Sequence, residues 1–172
     1  MISSKHRHRA RRLATQALCC LDAQGPHVLD LAVEFIRESH EPVEVLAIAQ
    51  EMLHGAWGYH DRGGDASLTL QSLHWDLRRM AMVDRNILRL AIWELAEKKA
   101  PPKVIITEAV RLAKEFSTQE SPRFINGVLD AVAKQFAPGD FEPQETQETD
   151  ELAEDESESV ESGDEDGQDL DE

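Results

Sequence analysis

The chain has 172 residues, with 18 Lys and Arg set against 34 Asp and Glu, for a formal net charge of −16. Its two cysteines are adjacent, and its longest apolar runs fall far short of the ~18–20 residues needed to span a bilayer, which excludes a disulfide-stapled scaffold and a helical membrane protein. No signal-peptide pattern opens the chain, so a reducing cytoplasm is the expected compartment.

The charge is unevenly placed. All 18 basic residues precede residue 140, together with 17 of the acidic ones, so residues 1–139 carry +1 and residues 140–172 carry −17. Residues 140–172 have no basic and almost no apolar side chains, cannot bury enough surface to offset ordering entropy, and are expected to form a disordered acidic tail. Residues 1–139 are expected to form one domain.

That domain reads as helix throughout. Ala10, Leu13, Ala14, Ala17, Leu18 and Leu21 recur at the spacing of one apolar stripe, preceded by the basic run KHRHRARR at residues 5–12. Gly25–His27 ends this helix. A second gathers Val28, Leu29, Ala32, Val33 and Ile36 and breaks at His40–Pro42; a third runs from about Val43 to Trp57. Residues 58–65 (GYHDRGGD) form a loop by composition. A fourth helix is expected over about Ala66–Met80, and a fifth after Asp84 as N-cap, largely buried through Ile87, Leu88, Leu90, Ala91, Trp93 and Leu95. After Ala100–Pro102 a sixth carries Ile105, Ala109, Leu112 and Phe116. The last opens with Ser121 as a cap and Pro122 at its first position. No sustained alternation suggests a strand. The expected fold is all-α, a compact bundle of about seven helices in two packed clusters joined near residues 58–65.

Catalytic signatures are missing. There is no Gly-rich phosphate loop and no nucleophile elbow. The histidines, His54 and His60 included, lack metal-ligand spacing, and Glu94 and Glu108 sit among basic residues where ion pairing is the default. The chain is therefore read as a non-enzyme with no cofactor and no metal.

The basic run carries more information. Placed at 100° per residue, Arg12 falls opposite the apolar stripe with Thr15 beside it; Arg9 and Gln16 share one flank, and Arg11 lies on the other. A helix N-terminus already attracts negative charge, so cations there are mutually unfavourable until a phosphate backbone reverses the sign. A plain solubilising arm is the alternative. Gln16 has the chemistry to read a base edge or a 2′-hydroxyl, or to be an ordinary surface residue. In the last helix, Asn126 and Gly127 interrupt good helix formers at a cost of roughly 1–1.5 kcal/mol relative to two alanines, which close helix–helix approach at Gly127 would explain. Arg123 and Phe124 in its first turn suit single-stranded RNA, although an aromatic there also suits the core. Trp57, Trp75 and Trp93 fit core packing.

The stretches RHRARRLATQAL (7–18), HWDLRRMAMVDRNILRLAIWEL (74–95) and KVIITEAVRLAKEFSTQESPRFINGVLDAV (103–132) together resemble the NusB transcription antitermination family over about residues 7–136. The resemblance implies an all-helical fold of two three- or four-helix clusters. It implies binding to the boxA element of nascent ribosomal-RNA leaders, partnership with the ribosomal protein NusE, and entry into an RNA polymerase antitermination complex. No membrane is involved, and the chain is expected as a monomer or weak homodimer. Carried over residue by residue, it points to Arg7, Arg9, Arg11, Arg12, Gln16, Arg123, Phe124 and Asn126 as RNA contacts. Three features depart from the family pattern: Cys19 stands where Tyr is frequent, Thr107 replaces an Asn, and the acidic tail is additional. Two other readings remain: the NusB-like N-terminal region of ribosomal-RNA cytosine methyltransferases, which precedes a Rossmann-like domain, and a protein–protein adaptor acting through its acidic tail. The tail itself reads either as a competitor of RNA for the arginines or as a solubility device.

Overall fold

The computed structural model describes residues 3–64 and 80–136. Within them the chain is helical and contains no strand: α1 (Ser4–Gln24), a short 3-10 turn (Pro26–Val28), α2 (Leu29–Arg37), α3 (Val43–Tyr59), a π-helical turn (His60–Gly64) where a loop was expected, α4 (Met82–Ala96), α5 (Pro102–Phe116) and α6 (Ser121–Phe136). The helix expected over about Ala66–Met80, Trp75 and the acidic tail lie outside the described residues.

Local chemistry accounts for the helix ends. Ser3 caps α1 by accepting the His6 amide at 3.2 Å, and Gly25, at φ 96°, closes it by donating to the Leu21 carbonyl at 2.7 Å. Helix α4 starts at Met82, two residues before the expected cap. Asp84 sits in its first turn, where it is buried and accepts the Ser121 hydroxyl at 2.8 Å. Ser121 thus ties the start of α6 to α4.

Two apolar clusters form, as the stripe patterns require. Ala10, Leu13, Ala14, Ala17, Leu18 and Leu21 of α1 pack with Ala32 and Ile36 of α2 and Val45, Ala49 and Leu53 of α3. Ile87, Leu88, Ala91 and Ile92 of α4 pack with Ile105, Ala109 and Leu112 of α5 and Ile125, Leu129 and Val132 of α6. Helix α4 serves both, because Leu90 and Trp93 point the other way into the first cluster. It is buried almost around its circumference and touches α1, α3, α5 and α6. Gly55 makes this possible: a Cβ there would overlap the Trp93 indole. Gly127, expected to allow close helix approach, meets no described helix. It is exposed, and no described atom lies within 4 Å of the place its Cβ would take.

Candidate nucleic-acid interface

Helix α1 is the support for the basic run, and it is wedged on two sides rather than one. Its apolar stripe faces α2 and α3, while a polar seam faces α4 and α5. Within that seam Arg11 donates to both oxygens of Glu94, at 2.9 and 2.8 Å, and lies 3.5 Å from Glu108. His8 Nδ1 is 2.8 Å from Glu108, and its Nε2 is 3.6 Å from Glu115. Arg11 is only 2 % exposed, and Thr15, expected beside Arg12 on the outer side, is buried as well.

Arg11 therefore departs from its expected role as an RNA contact. Desolvating a guanidinium is costly unless a carboxylate accompanies it, and the Glu94 pair provides that compensation inside the fold. The default of ion pairing for Glu94 and Glu108 holds, but the short contacts come from α1; on its own helix Glu108 has only Arg111, at 3.9 Å.

The lower half of the same seam is a second network. Asp22 accepts from Arg89 at 2.8 Å, from Arg85 at 2.9 Å and from Asn86 at 3.0 Å. Burial opposes the charged carboxyl, yet the hydrogen bonds and charges of Arg89 and Arg85 outweigh it and hold Asp22 below the ordinary carboxylate range. Cys19 lies beside this network. Burial pushes its thiol up to about 11, with the Asn86 hydrogen bond and the two arginines opposing only in part.

The remaining basic residues stand outward. Arg7 is exposed and reaches the Lys99 carbonyl at 3.5 Å. Arg9 has a 44 % exposed side chain and engages both oxygens of Glu41, with Nε at 3.1 Å and Nη2 at 2.6 Å. Arg12, 42 % exposed, lies 2.7 Å from Glu115 and holds its guanidinium 5.6 Å from the Phe116 ring centre. Gln16 is exposed and lines a groove of about 500 Å³ between α1 and α2 with Cys20, Leu31, Glu34, Phe35 and Glu38.

At the start of α6, Arg123 is exposed, while Phe124 is half-buried against the second cluster. Asn126 donates to Asp130 at 3.0 Å. A chain of contacts links this corner to α1: Arg12 lies over Phe116, and the next residue, Ser117, bonds the Ser121 hydroxyl at 2.9 Å. Sequence reasoning missed Glu41, Glu115 and Phe116 as neighbours of the arginines. Phe116 had a place in an apolar stripe, and no local signal marks either glutamate.

No group of three His, Cys, Asp or Glu among the described residues could hold a metal ion, and no described helix is long and apolar enough to cross a membrane.

The sequence profile of the NusB family matches residues 8–134. The transcription antitermination protein NusB of Anaeromyxobacter dehalogenans (strain 2CP-1) is 41 % identical over 137 residues, covering 78 % of this chain and 95 % of its own. That of Streptomyces coelicolor is 40 % identical over 126 residues, covering 72 % and 89 %. Among solved structures, NusB of T. maritima superposes with a TM-score of 0.69 at 31 % identity, over 78 % of this chain and 94 % of its own. A crystal structure of the antitermination factors NusB and NusE in complex with dsRNA gives a TM-score of 0.68 at 26 % identity, over 77 % and 99 %.

Proposed function

Because the chain belongs to the NusB family, we propose that it is an RNA-binding transcription antitermination factor that works without catalysis, in the cytoplasm, with a NusE-type ribosomal protein as partner. The finer reading is that it engages the boxA element of nascent ribosomal-RNA leaders and joins an RNA polymerase antitermination complex. Residues 1–139 supply the RNA-binding domain, and residues 140–172 are an acidic appendage to it.

The observation that carries this reading is the division of labour on α1. The apolar stripe anchors the helix in the first cluster and Arg11 ties it to Glu94 of α4 and Glu108 of α5, and Arg7, Arg9, Arg12 and Gln16 stand outward on that rigid support. No acidic residue occupies the first turn of α1, so the helix N-terminus adds to the attraction for phosphate. Arg123, and the partly covered ring of Phe124, extend the face toward α6, where phosphate contact and base stacking are available together. Asn126, already paired with Asp130, is the weakest member of the set.

Binding of a boxA RNA by the full-length protein, with and without NusE, tests the assignment. Arg9→Ala/Arg12→Ala is expected to weaken binding and to flatten its salt dependence by about 0.7 per lost phosphate contact. Unchanged affinity and slope would remove α1 as the RNA-binding face.

A further inference from the structure

Resting on the reading of α1 as the RNA-binding face, we propose that Glu41 and Glu115 are specificity-determining residues. They act as exchangeable counter-ions that RNA must displace from Arg9 and Arg12. Glu41 lies between α2 and α3, and Glu115 lies in the last turn of α5, so the outward arginines are flanked by carboxylates from two different elements. Glu41 contacts Arg9 through both oxygens, occupying the fork that a phosphate would take. Glu115 stands 2.7 Å from Arg12.

Both carboxylates are built for release. Their side chains are 18 % and 33 % exposed, so each can regain water when its arginine turns to a phosphate. Glu115 has a second polar neighbour at hand, with His8 Nε2 at 3.6 Å. The Arg11–Glu94 pair differs in kind: both members are almost fully buried, and separating them would strand charges away from water.

The consequence is selective. An RNA whose phosphates meet both arginines in register recovers two charge-assisted contacts for the two it breaks. An RNA that meets the face out of register breaks carboxylate pairs without full replacement, or finds the arginines already neutralised. The counter-ions thus lower non-specific affinity more than specific affinity, and they reduce the net release of ions on binding.

The test compares the full-length protein with Glu41→Gln, Glu115→Gln and Asp61→Asn, measuring affinity for a boxA RNA and a scrambled RNA of equal length across a salt series. Asp61 is exposed beyond the C-terminal end of α3, remote from the arginines along that helix, and controls for net charge. Each Glu→Gln change is expected to tighten scrambled-RNA binding roughly twofold to fivefold, the equivalent of one exposed ion pair, and boxA binding by less. The salt slope should steepen by about 0.7 for each. If both variants behave like Asp61→Asn while the wild-type protein still prefers boxA RNA, the counter-ion role is overturned and the RNA-binding reading stands. A wild-type protein that binds neither RNA overturns the reading beneath it.

Discussion

Arg11 and Arg12 are neighbours in a run of basic residues, yet one is buried and the other half-exposed. Their substitutions should therefore report different things. Arg11→Ala strands the Glu94 carboxylate in the interior and is expected to cost about 3–5 kcal/mol of stability, read as a fall in the denaturation midpoint. Arg9→Ala and Arg12→Ala break half-exposed pairs and should cost under about 1 kcal/mol each, with the loss appearing in RNA affinity instead. Two glycines make a similar contrast. Gly55→Ala drives a methyl into the Trp93 ring where α3 meets α4, and a thermal melt should show a marked loss. Gly127→Ala meets nothing within 4 Å among the described residues and should stabilise the protein by up to about 1 kcal/mol. If that stabilised variant also loses RNA affinity, the missing side chain serves a ligand's approach rather than the fold.

Helix α1 meets α4 through charges as well as apolar side chains, and this makes their packing sensitive to acid. The Asp22 carboxyl is held below its ordinary range in the folded protein, so its contribution is present in full above the unfolded carboxylate pKa and is lost as pH falls through the folded value. Asp22→Asn should therefore destabilise the protein by about 2 kcal/mol near neutral pH. The gap between variant and wild type should close as the pH drops through the carboxylate range, which denaturant titrations at several pH values would follow. A gap that stayed constant into acid would mean that Asp22 acts by shape rather than charge. Cys19, next to the same network with its thiol raised to about 11, should resist alkylation near pH 8.

Across the whole chain, the opposing charges of residues 1–139 and 140–172 pose one further question. A segment carrying −17 on the same chain can compete with RNA for the outward arginines, as Glu41 and Glu115 are proposed to do locally. Residues 1–139 alone should then bind scrambled RNA more tightly than the full chain at low salt, with the difference fading as salt rises; equal affinities would leave the tail a solubility device. Most helices of the described residues, the two-cluster arrangement, the charge partition and the family resemblance were legible in the linear order, because apolar spacing and breaker residues act over a few positions; residues 58–64, read as loop from their glycines, instead continue α3 to Tyr59 and into a π-helical turn. The directions of the individual arginines were not. A helical wheel measures angles from one apolar stripe, but α1 is buried on two sides, and its second side is defined by carboxylates such as Glu94, 83 residues away from Arg11. Only the tertiary structure decides which cations those carboxylates draw inward, since a buried charge goes where a partner can desolvate with it.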